Sequence, residues 1–291
     1  MKRKLIIILG GLAASIVLVW GSVVCGNTVK IFNSDGVIQT GESYDRVEVY
    51  DTPPLHTTVN MGGGSIGSPG MFTYDESTVN ISGGIVDLLY TYHSSTVNIS
   101  GGGVGGPYAS VNESSTINIF GGLLGIEWSF SMLELYDRGT LNVDEDGIVG
   151  ALTLAKDAST VNVYKGYVHH LSAMNSSTVN IYGGEVGSGW GFHVVDSSVT
   201  VNIYGYDFVY DPHWFWAEDN PIWGTGWVSK LTGYGFQDVP IKITGMPDPA
   251  TNPNIHLIPE PSAVTLFAIV GLFLFRRRDA KAFCIVISKS N

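Results

Sequence analysis

One four-residue pattern recurs eight times along this 291-residue chain and constrains its fold more than any other feature. Each copy reads Thr, an apolar residue, Asn and a second apolar residue. The asparagines are Asn60, Asn80, Asn98, Asn118, Asn142, Asn162, Asn180 and Asn202, and successive ones lie 18 to 24 residues apart. That spacing is at the lower edge of the repeat lengths typical of solenoid proteins. We therefore expect stacked coils.

The strict alternation in each copy predicts a short, half-buried strand. Six residues after each asparagine comes another apolar residue: Ile66, Val86, Val104, Leu124, Ile148, Val168, Val186 and Phe208. A Gly-Gly pair usually lies between, and glycine suits a corner because it tolerates positive φ. A third apolar stretch, such as Leu152–Leu154, then precedes a polar turn. Three short strands per repeat predict an all-β, single-stranded parallel β-helix of about eight rungs. Since the rung length varies, we expect it to be right-handed.

The same alternation assigns an inner and an outer face to each repeat. With Val and Ile pointing inward, Thr and Asn point outward, so we predict Thr and Asn ladders whose amides hydrogen-bond along the stack. An Asn row could instead be a binding surface. Two residues beyond the Asn, the outer face carries a second row, interrupted at Asp144, with Phe120, Tyr164, Tyr182 and Tyr204. Aromatic stacking explains that row, and carbohydrate contact is the alternative.

Both ends of the chain carry segments typical of export. Lys2, Arg3 and Lys4 precede the apolar run from Leu5 to Trp20, which predicts a signal peptide over residues 1–26. At the other end, a Pro-Glu-Pro motif precedes an apolar segment at 263–275 and an arginine cluster, with the residues Pro259, Glu260, Pro261, Arg276, Arg277 and Arg278. Thirteen apolar residues are short for a hydrocarbon core of about 30 Å, so we expect a transient transmembrane anchor.

This three-part end, residues 258–278, resembles the PEP-CTERM sorting signal of exported bacterial proteins. The resemblance implies an exosortase-type processing enzyme as a partner and cleavage near Pro259 to Pro261. It also implies a bacterium with a Gram-negative envelope and delivery to the cell surface or the exopolysaccharide matrix. One departure is the atypical tail at 279–291, because chains of that family normally stop soon after the arginines.

Charge and cysteine content exclude several classes of function. Residues 27–259 hold seven Lys and Arg against 24 Asp and Glu, a net charge of 7 − 24 = −17. Nucleic-acid binding requires clustered cations, so we expect no nucleic-acid partner. The only cysteines, Cys25 and Cys284, lie at the two ends. The repeat region therefore offers no disulfide, thiol nucleophile or cysteine metal ligand.

Caps are expected on both sides of the repeat region, 57–208, because a solenoid end exposes unpaired strand edges. Residues 27–56 predict the amino-terminal cap, in which Thr28–Ile31 reads as a decayed repeat with Lys30 in the Asn position. Residues 209–257 predict an aromatic-rich carboxyl-terminal cap. Its tryptophans could alternatively contact a glycan, and the candidates are Trp214, Trp216, Trp223 and Trp227.

No motif predicts a catalytic, cofactor or metal site. The acidic run Asp144–Gly147 replaces a Gly-Gly corner and favours a solvated turn over a calcium loop. His169 and His170 are adjacent in a predicted strand and so point to opposite faces. Pectin-lyase-like β-helices, which the repeats resemble, use grouped acidic calcium ligands and a basic residue, yet Arg46 and Arg138 are the only arginines in the body.

The sequence therefore favours an exported structural protein of the cell surface or biofilm matrix that presents a rigid acidic surface. The alternative is a glycan-binding adhesin, or a polysaccharide lyase or glycoside hydrolase, on the same scaffold. Carboxylate pairs from different rungs leave hydrolysis open, because glycosidases need a separation of only about 5 to 9.5 Å.

Overall fold

The computed structural model describes residues 28–125, 131–216, 226–235 and 238–259. The predicted signal peptide, the tail, and the residues Trp223, Glu260, Pro261, Arg276, Arg277 and Arg278 lie outside the described residues. Every regular element in the described ranges is a β-strand. Across this part of the chain, no helix is long and apolar enough to cross a membrane.

The chain forms a β-solenoid in which stacked parallel coils share one interior, which confirms the predicted fold class. Strands that contain or continue the Asn-bearing segment are β2 (Gly36–Ile38), β4 (Thr58–Thr73), β5 (Thr78–Thr91), β6 (Thr96–Ile99), β8 (Thr116–Ile119), β11 (Thr140–Val143), β13 (Thr160–Val163), β15 (Thr178–Ile181), β17 (Thr200–Trp216) and β20 (Ile255–Pro259). The others are β1 (Val29–Phe32), β3 (Ser43–Val49), β7 (Gly103–Val111), β9 (Leu123–Leu124), β10 (Met132–Leu135), β12 (Ile148–Ala155), β14 (Tyr167–Ala173), β16 (Gly184–Val194), β18 (Gly226–Tyr234) and β19 (Pro240–Thr244).

Each coil has three strand segments, which run together as one strand in β4 and β5 and are separate in coils such as β8, β9 and β10. Each segment pairs in parallel with the equivalent segment of the neighbouring coils. All eight repeat asparagines lie in register, from Asn60 opposite Asn80 through to Asn180 opposite Asn202. The second strand stacks in the same way, as Val86 on Val104. A register shift separates it from the third strand in most coils, where the chain bends. Length differences between repeats are thus absorbed outside the Asn strand.

The interior consists of continuous aliphatic columns. The two residues that flank each repeat Asn are fully buried in every coil, as with Val59 and Met61 or Val179 and Ile181. The Asn between them, and the Thr that precedes them, are mostly half-buried on the outer face. Burial of one such aliphatic side chain stabilises the fold by about 1.5–3 kcal/mol. A single coil could not bury these side chains without the coils above and below it. The predicted inner and outer assignment is confirmed.

Glycine forms the corner after the Asn strand because the backbone there turns left-handed. Gly84, Gly102 and Gly122 have φ values of 87°, 65° and 74°. A Cβ on Gly84 would also lie 2.6 Å from the carbonyl oxygen of Gly64 in the coil below. Both the φ angle and the close approach of neighbouring backbones therefore select glycine.

The acidic corner shifts the inward position of its coil by one residue. Ile148, the apolar residue six positions after Asn142, is 39% exposed, and Val149 lies in the core instead. Val149 pairs with Leu124 below and Val168 above. The reason is length, since the turn through Glu145, with φ of 49°, adds one residue relative to a Gly-Gly corner. Its acidic side chains face outward, in agreement with the predicted solvated turn.

At the amino end, the interpretation of Thr28–Ile31 as a decayed repeat is wrong. Lys30 pairs with Val47 in the third strand of the next coil, and the residue below Asn60 in the Asn column is Val37. β2 and β3 both stack in register on β4 and form an additional coil. The prediction was wrong because β1 has the same alternation as the repeat segments but pairs with the third strand of the coil.

At the carboxyl end, an antiparallel hairpin joins the parallel stack. β18 pairs antiparallel with both β17 and β19, and β19 then stacks in parallel on β16. β20 pairs in parallel with β17, placing His256 beside Asn202, and it ends at Pro259. β19 and β20 therefore pair with the edges of the last full coil, and β18 joins β19 to β17.

Candidate functional surfaces

The Asn ladder is a single row of side-chain hydrogen bonds along the solenoid. In each step the Nδ2 of one Asn donates to the Oδ1 of the Asn in the preceding coil. The seven bonds that join the eight asparagines measure 2.7 to 2.9 Å. The predicted ladder is confirmed. Each interior amide uses one N–H and one oxygen lone pair in this way and keeps the second of each directed away from the row.

The predicted aromatic row forms where three tyrosines occur in consecutive coils. The rings of Tyr164 and Tyr182 are stacked with centroids 4.9 Å apart, and those of Tyr182 and Tyr204 are 4.5 Å apart. Phe120 is exposed and is followed in the next coil by Asp144, as expected. Stacking of the rings against one another accounts for this row without any ligand.

Two further aromatic rows, not expected from the sequence, lie near the end of the third strand, one on the strand and one at the residue directly after it. Tyr50, Tyr74 and Tyr92 stack at 4.7 and 5.3 Å, and Phe72 stacks on Tyr90 at 4.7 Å. Because the flat faces of stacked rings are turned toward each other, mainly ring edges and hydroxyls face the solvent. Sugar rings bind flat aromatic faces, so these rows favour a structural role. The sequence feature that could have predicted the row of Tyr50, Tyr74 and Tyr92 is a Tyr directly before the polar turn in successive repeats.

The turn after the third strand gives the solenoid an acidic edge. Each turn holds one residue in the left-handed region, at φ between 54° and 60°. The residues at this position are Asp75, His93, Glu113, Asp137, Asp157 and Asn175. Several bond to the next coil, as when the backbone N–H of His93 donates to Glu113 Oε2 at 2.7 Å. Carboxylates therefore recur at about the 4.8 Å spacing of the coils.

One groove on this edge contains Arg138. It has a volume of about 530 Å³ and is lined by Glu113, Ser114, Asp137, Arg138, Asp157 and Ala158. The acidic residues come from three successive coils, and Arg138 follows one of them directly. Arg46 is differently placed, because its guanidinium pairs with Glu48 and lies 4.5 Å from the centroid of the Phe72 ring.

A charged cluster on the third strand replaces the aromatic rows in two coils. Glu134 pairs with Lys156 and accepts hydrogen bonds from the hydroxyls of Tyr108 at 2.6 Å and Tyr136 at 2.7 Å. Burial opposes ionisation of Glu134, but bonds from Lys156 and the two tyrosines outweigh it and lower its pKa. Burial, together with the bond to Glu134, raises the pKa of Tyr108. Every charged group here is paired, so the cluster is structural.

His169 and His170 point to opposite faces, as predicted. His170 is buried, its Nε2 lies 3.0 Å from Ser172 Oγ, and its ring centroid is 5.2 Å from that of His193. Burial, followed by the nearby His193 and His169, lowers the pKa of His170 to about 4. His170 is therefore neutral at pH 7.

A second groove, of about 700 Å³, lies near the amino end of the acidic edge and brings together residues that the sequence reading missed. In it His56 Nδ1 lies 3.4 Å from Asp51 Oδ2 and 3.5 Å from Glu76 Oε2. These three groups could together hold a metal ion. The sequence could have indicated this grouping through spacing, because Glu76 follows His56 by 20 residues, which is one coil length.

The predicted glycan-contact and sorting residues are only partly within the described residues. Trp214 and Trp216 lie in β17 and Trp227 lies in β18, where Trp214 is paired with Val228 and Trp227 with Phe215. Pro259 is the last residue of β20. The glycan contact and the sorting signal stay predictions.

Comparison of the chain with protein-family models, curated proteins and solved structures gave no match.

Proposed function

We propose that this protein is an exported structural element of the bacterial cell surface or biofilm matrix. Its role is to present a rigid, acidic surface of fixed periodicity rather than to catalyse a reaction. Before processing, the terminal apolar segments hold it transiently in the membrane. An exosortase-type enzyme then releases it toward the exopolysaccharide.

The observation that carries this proposal is the unbroken Asn ladder. A binding site is usually local, but here the same outward residue repeats in all eight coils and its amides are bonded to one another. Such repetition stiffens a rod, because every coil is tied to the next by side chains as well as by backbone. The acidic edge keeps the rod charged and soluble.

The sorting step can be tested with a matched decoy in the same chain. Asp248 and Pro249 belong to a Pro-Asp-Pro sequence 12 residues before the Pro-Glu-Pro motif. Full-length protein would be expressed in a bacterium that contains an exosortase, and the mature carboxyl terminus would be determined by mass spectrometry in each cell fraction. The variants are Glu260→Ala with Pro261→Ala, and Asp248→Ala with Pro249→Ala.

We expect wild type and the Asp248 variant to be cut near Pro259 to Pro261 and to reach the surface or matrix. The Glu260 variant should remain uncut and associated with the membrane. Identical processing of all three proteins, or a wild-type protein that stays in the cytoplasm, would contradict the proposal.

A second candidate function, polysaccharide lyase activity, is favoured by the groove at Arg138. There a basic side chain lies beside Glu113, Asp137 and Asp157, the kind of residues that pectin-lyase-like sites combine. The test is formation of unsaturated products from acidic polysaccharides, with and without calcium. Turnover by wild type that is lost in Arg138→Ala but retained in Arg46→Ala would show that the protein is a lyase and not a purely structural element. Absence of turnover by wild type would rule out the lyase function.

A further inference from the structure

The groove at the amino end of the acidic edge differs from the rest of that edge in its ligand types. Elsewhere the edge offers mainly carboxylates to solvent, but here a histidine nitrogen lies between two carboxylate oxygens from different parts of the chain. Asp51 follows β3, His56 ends the loop that begins there, and Glu76 belongs to the next turn. His93 and Asp75 line the same groove.

The two distances from the histidine nitrogen to the carboxylate oxygens match those of a tetrahedral metal site. Metal–ligand bonds of about 2.1 Å at tetrahedral angles place neighbouring ligand atoms about 3.4 Å apart. The two distances from His56 Nδ1 are 3.4 Å to Asp51 Oδ2 and 3.5 Å to Glu76 Oε2. All three ligand atoms lie within 4.8 Å of one another. Good hydrogen bonds from a ring nitrogen to oxygen would be about 2.7–3.2 Å long, so both contacts are longer than direct bonding favours.

The site is also held in place before any ion binds. The Asp51 side chain is only 4% exposed, and its Oδ1 accepts the backbone N–H of Thr57 at 2.8 Å, which leaves Oδ2 directed at His56. The loop between them is closed by the N–H of Leu55, which donates to the Thr52 carbonyl at 3.0 Å. A buried carboxylate is costly unless it is paired or coordinates a metal.

The mixture of donors indicates the kind of ion. Calcium and magnesium take oxygen ligands almost exclusively, whereas imidazole suits zinc, copper, iron and nickel. One nitrogen and two carboxylate oxygens, each about 3.4–3.5 Å from that nitrogen, best fit Zn²⁺, with a fourth position open to the groove. The carboxylate of Asp75, which lines the same groove, adds negative charge that attracts a cation.

We propose that Asp51, His56 and Glu76 bind one divalent transition-metal ion, of which Zn²⁺ is the representative. Ligands from two successive turns are then clamped together, so the ion fastens the added amino-terminal coil to the first Asn-bearing coil. This proposal does not depend on export or on the structural role, because it concerns a site of defined composition.

Zinc binding would be measured by titration calorimetry on the full-length protein, purified without a polyhistidine tag. His56 and Glu76 are 66% and 67% exposed, so His56→Ala and Glu76→Gln should fold normally. Matched controls are His256→Ala and Glu145→Gln, which change exposed residues of the same types elsewhere. Circular dichroism of all variants checks that the solenoid is intact.

We expect one Zn²⁺ per chain for wild type and both controls, with affinity reduced at least 10-fold in each of the two site variants. Co²⁺ bound in place of Zn²⁺ should give the intense visible absorption of a tetrahedral complex, lost in His56→Ala. The proposal is overturned if Zn²⁺ binding does not saturate, if it is unchanged in both site variants, or if Ca²⁺ binds as tightly as Zn²⁺ and regardless of His56.

Discussion

Removing one amide from the middle of the Asn ladder should cost about twice as much as removing one from its end. Asn142 donates to Asn118 Oδ1 at 2.7 Å and accepts from Asn162 Nδ2 at 2.7 Å, whereas Asn60 only accepts one bond, from Asn80. A net contribution of about 0.5–1.5 kcal/mol per hydrogen bond gives a loss of about 2 kcal/mol for Asn142→Ala. The same reasoning gives about 1 kcal/mol for Asn60→Ala.

Double substitutions separate ladder bonds from general damage to the fold. Asn118→Ala and Asn142→Ala share one bond, so the double variant breaks three bonds where the single variants together break four. Its cost should be about three quarters of the sum. Asn80→Ala with Asn162→Ala breaks four bonds with none shared, so these two costs should simply add.

The assay is urea unfolding followed by both circular dichroism and tryptophan fluorescence, because repeat arrays can depart from two-state behaviour. Equal losses for Asn142→Ala and Asn60→Ala, or full additivity for the adjacent pair, would show that the ladder bonds do not stabilise the solenoid.

Three further predictions concern the core, the corner and a buried histidine. Val179→Asp places a charge in the apolar interior, so the solenoid should not fold and the cooperative thermal transition should be lost. Thr178→Ala on the outer face should lower the free energy of unfolding by less than about 1 kcal/mol. Equal effects of the two substitutions would contradict the inner and outer assignment. Gly84→Ala should lose about 2 kcal/mol or more in urea unfolding, because it forces a left-handed Ala against a neighbouring carbonyl, and Gly62→Ala, with nothing near its Cβ, should be mild. His170, whose pKa is lowered to about 4 by burial, binds a proton more readily when unfolded, so stability should fall by about 2–3 kcal/mol as the pH drops from about 6.5 to 4. His170→Gln should remove that part of the pH dependence, and an unchanged profile would count against the burial explanation.

The coils could be predicted because the Asn strand combines two signals that reinforce each other. Alternation identifies the buried residues, and repetition at coil length indicates that successive copies stack, so the ladder from Asn60 to Asn202 followed directly. Where only one signal was present, prediction failed. Thr28–Ile31 alternates but has no fixed distance to the next repeat, and it pairs with a different strand of the coil.

The remaining differences come from turn lengths. One added residue in the acidic turn moves the inward position from Ile148 to Val149. The number of residues in such a turn cannot be predicted from its composition. The rows of Tyr50, Tyr74 and Tyr92 escaped notice for a related reason, since their distance from the preceding Asn changes between coils. The grouping of Asp51 with His56 depends on a loop conformation that the sequence does not specify.

The eight repeat segments lie over one another in the solenoid, and distances between pairs of spin labels measure this arrangement. Labels on cysteines introduced at Thr58 and Thr140 are four coils apart, and labels at Thr58 and Thr200 are seven coils apart, with Cys25 and Cys284 replaced by Ser. At about 4.8 Å per coil, the backbone separations are about 19 Å and 34 Å. We expect the second distance to exceed the first by about 14 Å. Two similar distances, or a shorter one for the pair that is further apart in sequence, would contradict the stacked solenoid.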